Sequence, residues 1–213
     1  MPKDTFLNLP EEKQQKIFKE AINEFSNKGY EKGNIGEIAK RAGVAKGSMY
    51  QYFEDKKELF IYCINKAFEL SSKYYDYTGY DLEEMSIFDY IYLGYKKAWP
   101  MMKEDKELFI FLQQAASGNN YAIRDEALEV IVKASRDYMY KVIEKNKEKG
   151  FIRSDISTEI IMLYLEGVSS KFKEKMMVTA KSEGKEIFDM TFEEFDNSIK
   201  DMITLLKSGM GKC

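Results

Sequence analysis

The chain contains no histidine among its 213 residues. That absence removes nucleophile–histidine triads, the carboxylate–histidine di-iron sites of helical bundles and histidine-based zinc centres. Cysteine is nearly missing as well. Cys63 and Cys213 are too few for a disulfide framework, and they suit a reducing cytoplasm. Proline stands only at positions 2, 10 and 100, so almost nothing prevents long helices. No run of eighteen apolar residues occurs, and Met1 to Pro10 is too short and polar for a secretory leader, so no membrane association and a cytoplasmic location are expected. A glycine-rich phosphate loop and a metal-ligand cluster are both lacking. No cofactor, metal or catalytic residue is expected, and an enzyme would have to rest on paired carboxylates in a cleft.

What is present is ordinary for a soluble globular protein: 44% hydrophobic and 32% charged residues, with helix formers dominant. No alternating, turn-punctuated stretch stands out, and the chain reads as all-α. Its net charge of −3 is unevenly spread, about +2 through Lys57 and −5 over the remainder. The positive end suits a small footprint on nucleic acid carried by an otherwise acidic molecule.

That positive end holds the most informative stretch, from Asn34 to Leu59. Asn34 and Glu37 have capping-box spacing, and Ile35, Ile38, Ala39 and Ala42 give the following helix one apolar face. Gly43 stops it, because a residue just past a helix end often needs positive φ. Ala45 to Tyr52 forms a second short helix with Met49 and Phe53 inward, and Asp55 with Glu58 opens a third element. Two short helices around a glycine turn make a helix-turn-helix, whose second helix enters the DNA major groove. Upstream, Pro10, Glu11 and Glu12 suit a helix start, and Ile17, Phe18, Ala21, Ile22 and Phe25 supply a face to pack on the motif. On this helix face Lys46 is placed to reach a guanine edge or a phosphate. Gly47 and Ser48 permit close backbone approach, and Gln51 can read a base.

The run Ile-Ala-Lys-Arg-Ala-Gly-Val-Ala-Lys-Gly-Ser-Met-Tyr-Gln-Tyr-Phe-Glu-Asp-Lys-Lys-Glu-Leu resembles the DNA-binding signature of the TetR family of bacterial transcriptional regulators. The helix from Ile17 to Tyr30, with its Lys-Gly-Tyr exit, is similar too. The resemblance covers roughly the first quarter of the chain by motif. It implies that Tyr50 and Tyr52 direct hydroxyls at phosphates or base edges, and that Lys56 with the next helix N-terminus binds a phosphate, which backbone donors and the helix dipole also favour. Ala45 stands where the family usually has a serine or threonine cap, and Gln14 where it often has a basic residue.

The expected organisation is a helix-turn-helix DNA-binding domain over residues 1–56 and a helical effector-binding and dimerisation domain over 57–213. The first is a three-helix head, linked by a fourth helix to the second. Phe88, Tyr92, Tyr95 and Trp99 recur at helical spacing, and a break is expected at Pro100. Such a stripe is commonly core. The resemblance, whose members usually hold an effector among central helices, places a pocket for a small hydrophobic or aromatic molecule on this face. A long helix from about Tyr121 to Lys149 follows, then one capped by Ser157 and interrupted at Gly167, where Glu166 is either a cation ligand or a solvated carboxylate. Thr191 and Glu194 open the final helix with a capping box. There Phe192, Phe195, Ile199, Met202 and Leu206 form a seam at spacings of three and four. With Tyr164 and Gly167 facing it, this seam is read as half of a four-helix bundle completed by a homodimer on a near-palindromic operator in double-stranded DNA. The alternative is that the seam packs inside the monomer. The functional reading is a transcriptional repressor released by a small molecule. A DNA-binding architectural or partner-regulated protein without an effector is the alternative.

Overall fold

In a computed structural model the described residues are 2–116, 126–182 and 187–211. Ten helices occur among them: α1 Asp4–Leu7, α2 Glu11–Lys32, α3 Ile35–Ala42, α4 Lys46–Tyr52, α5 Lys56–Ser71, α6 Ile87–Glu104, α7 Lys106–Ala116, α8 Glu126–Glu148, α9 Thr158–Ser182 and α10 Phe192–Met210. No strand is formed among the described residues, and the fold is all-α, as expected. The isolated pairing of Ile152 with Gly211 only ties the loop after α8 to the end of α10. No helix among the described residues is long and apolar enough to cross a membrane.

The chain gathers into two compact units: residues 1–73 with 104–125, and 74–103 with 126–213. The first is organised around the hydrophobic faces read above. Ile17, Ala21 and Phe25 of α2, Ile38 of α3, Met49 of α4 and Leu59 of α5 are all buried. Two additions come from outside the motif. The short α1 precedes the motif, and its Phe6 packs on Tyr52, Phe53 and Tyr62, with ring centroids 6.0, 4.8 and 5.1 Å away. Helix α7 inserts Phe111 against Phe25 and Phe60 at 6.5 and 5.3 Å. Aromatic burial of this kind offsets the small core that three short helices could build alone.

In the second unit, α6 begins one residue after Ser86, whose hydroxyl accepts from the Asp89 N–H at 3.2 Å. It does not break at Pro100 but continues to Glu104. Pro100 is exposed, so the Lys96 carbonyl deprived of its usual donor lies towards water. Nor does Gly167 interrupt α9, which runs from Thr158 to Ser182. A glycine inside a helix weakens it by only about 1 kcal/mol, less than two dozen neighbours can hold. Thr191 and Glu194 form the expected reciprocal capping box at the start of α10. The expected start of the long helix near Tyr121 lies outside the described residues.

Candidate DNA-binding interface and ligand cavity

The helix-turn-helix is assembled by backbone satisfaction. The Asn34 side chain accepts from the N–H groups of Gly36 and Glu37 at 2.8 and 3.4 Å. The return half of the expected box comes from elsewhere: the Asn34 N–H donates to Glu24 of α2 at 3.1 Å. Glu24 is only 2% exposed and also accepts from Arg41 at 2.8 Å and Lys28 at 2.9 Å. Burial alone raises its pKa, but the hydrogen bonds from Lys28, Arg41 and the Asn34 backbone outweigh burial and hold the carboxyl below its ordinary range. Arg41 further binds Glu20 at 2.8 Å. A charged cluster thus locks α3 onto α2. Gly43 then turns the chain at φ 72°, ψ 32°, a conformation a side chain would strain, and the Val44 N–H closes the turn on the Ala39 carbonyl at 2.9 Å.

This geometry decides which face of α4 is free. Met49, Tyr52 and Phe53 point into the core, while Lys46, Gly47, Tyr50 and Gln51 are exposed and Ser48 is half-buried. Positions 46, 47, 50 and 51 share one helical face, and a Cβ on Gly47 would meet nothing within 4 Å. The Tyr50 ring is 46% exposed. Two of the sequence-derived contact residues are placed differently. Tyr52 is buried against Phe6, so its ring belongs to the core. Lys56 donates to the carbonyls of Glu31 and Gly33 at 3.0 and 3.4 Å and lies 4.6 Å over the Tyr30 ring, so its ammonium satisfies the end of α2. Sequence reasoning missed the strap before α2. The Lys3 N–H donates to the Tyr52 carbonyl at 2.9 Å, its ammonium donates to the Tyr50 carbonyl at 3.1 Å, and the Thr5 hydroxyl donates to the Gln51 carbonyl. All three acceptors are orphan carbonyls at the C-terminus of α4. An exposed lysine and threonine 46 or 47 residues away carry no local signal for this.

In the second unit the proposed aromatic face of α6 is largely covered by α10. The Tyr92 hydroxyl donates to Asp196 at 2.7 Å, Trp99 packs on Phe192 and Phe195 at 5.5 and 4.8 Å, and the buried Phe88 ring lies 5.7 Å from Lys207 Nζ. The cavity opens on another face of the same helix. It measures about 190 Å³ and is lined by Ile91 of α6, Met139 of α8, and Met162, Leu165, Glu166 and Ser169 of α9. Phe88, Tyr92, Tyr95 and Trp99 are not among its lining residues, whereas Glu166 is.

The seam of α10 needs a similar correction. Phe195, Ile199, Met202 and Leu206 are buried within their own chain, because this face of the helix closes the core of the second unit. They are unavailable to a partner. Phe192 remains half-exposed beside Trp99. Tyr164 and Gly167, named for the same interface, do face outward on α9, in one stripe with Ile160 and Leu163. Leu163 and, on α10, Leu205 are 65% and 69% exposed. The Tyr164 ring lies over Gly209, where a Cβ would come within 3.0 Å of its hydroxyl, so the missing side chain lets α9 and α10 approach here.

Comparison with known proteins agrees with the helix-turn-helix geometry. Residues 17–63 match the family model described as bacterial regulatory proteins, tetR family. The HTH-type transcriptional repressor AcnR of Corynebacterium efficiens is 23% identical over 188 residues, covering 85% of this chain and 91% of that protein. A TetR family transcriptional regulator from Chloroflexus aurantiacus has a similar crystal structure, with a TM-score of 0.78, 24% identity and full coverage of both chains. The regulator FadR of Bacillus subtilis, solved in complex with stearoyl-CoA, superposes with a TM-score of 0.66 at 19% identity, covering 92% of this chain and 98% of that one. The chain is a DNA-binding transcriptional regulator whose residues 17–63 match the tetR family of bacterial regulatory proteins.

Proposed function

We propose that the protein is a cytoplasmic repressor that binds a near-palindromic duplex as a homodimer and is released by a small molecule held in the second unit. In this reading Lys46, Gly47, Ser48, Tyr50 and Gln51 form the surface laid in the major groove, with Tyr52 supporting it from behind and Lys56 fixing the end of α2. The observation that carries the effector is the 190 Å³ cavity, lined by two methionines, two branched apolar residues and two polar ones, in the manner of a small-ligand site. It favours the effector reading over an architectural protein. FadR, of similar fold, is named for its complex with stearoyl-CoA; the cavity here is far too small for so large a molecule.

The dimer uses the outward stripe Ile160, Leu163, Tyr164 and Gly167 with Leu205, rather than the inward seam of α10. An exposed apolar stripe of this kind is a liability unless covered, and a second copy across a two-fold axis covers it symmetrically. Coupling runs along the chain itself. Helix α6 carries Ile91 at the cavity and ends at Glu104, and α7, which starts at Lys106, packs Phe111 on Phe25 and Phe60 beneath the helix-turn-helix. A ligand that shifts α6 therefore pulls on the core supporting α4. Reciprocal coupling of about 1–3 kcal/mol would lower operator affinity 5- to 150-fold. The test is titration of a fluorescent operator duplex with protein, with and without compounds found to bind the cavity. Release with the midpoint of ligand binding supports the mechanism, and unchanged operator affinity at saturating ligand contradicts it.

A further inference from the structure

One turn beyond the cavity, polar groups from two helices meet without satisfying one another. On α9 the lining stripe Met162, Leu165, Glu166 and Ser169 continues at helical spacing to Lys173, and on α6 Ile91 is followed four residues later by Tyr95. The Tyr95 ring packs edge-on against Phe172 with centroids 5.7 Å apart, and Lys173 Nζ lies 6.0 Å from the same Tyr95 ring. The Tyr95 hydroxyl is enclosed. Ser169 is close enough to influence its acidity, yet no partner among the described residues sits at bonding geometry. Burial raises the Tyr95 pKa and lowers that of Lys173. Among the described residues no carboxylate pairs with the Lys173 ammonium. It lies instead over the face of the Tyr95 ring.

A half-buried ammonium and an enclosed hydroxyl, neither paired at bonding geometry among the described residues, are costly to keep and are commonly found where a ligand completes them. We propose that the cavity takes an amphipathic carboxylate, its apolar part seated among Ile91, Met139, Met162 and Leu165 and its anionic head bound by Lys173, Tyr95 and Ser169. The size follows from the space: a cavity of about 150 Å³ holds benzene, so this one suits an apolar group of roughly six to eight carbons. Glu166 also lines the cavity, but it is exposed and therefore more strongly screened by water than the half-buried Lys173. This inference rests on the reading of the cavity as the effector site and assigns the chemical class of its occupant.

The test is calorimetric titration of the full-length protein with three probes of one skeleton: 4-ethylbenzoate, 4-ethylbenzyl alcohol and 4-ethylbenzylamine. The benzoate is expected to bind at least about tenfold more tightly than the other two, the range of a hydrogen bond to a charged group. Lys173→Met should bring the benzoate down to the level of the alcohol and leave the alcohol unchanged. Lys173→Arg should retain the preference, which separates loss of charge from loss of fold. Tyr95→Phe should weaken the benzoate several-fold. An alcohol or amine that binds as tightly as the benzoate, or a Lys173→Met protein that keeps the full preference, overturns the anionic assignment while leaving a ligand cavity in place. Absence of binding by all three probes at millimolar concentration overturns the cavity reading itself.

Discussion

The ammonium of Lys3 donates a 3.1 Å hydrogen bond to the carbonyl of Tyr50, so the start of the chain is fastened to the C-terminal end of the helix assigned to the groove. Lys3 also pairs with Glu54 at 2.9 Å, and a cation at a helix C-terminus opposes the dipole there. Both side chains are substantially exposed, so Lys3→Ala should cost only about 0.5–1 kcal/mol in a urea melt. Phe6→Ala, which empties the aromatic socket behind the same helix, should cost about 3–5 kcal/mol. Equal, negligible effects of the two would show that the strap does not support α4.

The Glu24 cluster makes acid stability a second observable. Its pKa is lowered on folding, so its contribution is fully present above the ordinary glutamate range and is lost as pH falls through the folded value. Glu24→Gln should destabilise the protein by about 1–3 kcal/mol at neutral pH, since the charge-assisted bonds from Arg41 and Lys28 are weakened while both cations keep access to water and Arg41 keeps Glu20. The acid limb of the stability curve should flatten in the variant. A variant whose midpoint falls with acid in parallel with the parent would contradict this role.

Much of the head was legible because its determinants are local. Asn34 as a cap, Gly43 at positive φ and the inward Met49 and Phe53 are all set within a few residues. The return partner of Asn34 was not legible, because Glu24 reaches it from another helix. The α10 seam misled for a related reason. Spacings of three and four are the same whether Ile199 and Leu206 meet a partner chain or their own, and only packing distinguishes the two. The aromatic stripe on α6 is helical, yet Tyr92 and Trp99 meet α10, and the cavity formed on the face that begins at Ile91.

Oligomer state follows from that distinction. Leu163→Glu or Leu205→Glu should yield monomers with unchanged helicity in sedimentation experiments, because both side chains face outward. Ile199→Glu should instead lose the native fold, since Ile199 is fully buried and a carboxylate there would be unpaired. A folded Ile199→Glu monomer would restore the inward seam as the interface.

Cys63 offers a probe of global opening. It is fully buried, and burial pushes its thiol pKa far above the ordinary value. In a Cys213→Ser background, modification by a thiol reagent should wait on unfolding and slow with every stabilising condition. Rapid reaction in the native protein would contradict the packing of α5.

The central claim, that the exposed face of α4 reads duplex DNA, is tested most directly by selection of bound duplexes from a random-sequence pool, followed by titration of the enriched site at several salt concentrations. The account expects an enriched near-palindrome, with Tyr50→Phe weakening binding at unchanged salt slope. Lys46→Ala should either reduce the slope by about one unit, if it meets a phosphate, or relax preference at one base pair by about 1–3 kcal/mol. A pool that yields no enriched motif, or an enriched site bound equally well by both variants, would contradict it.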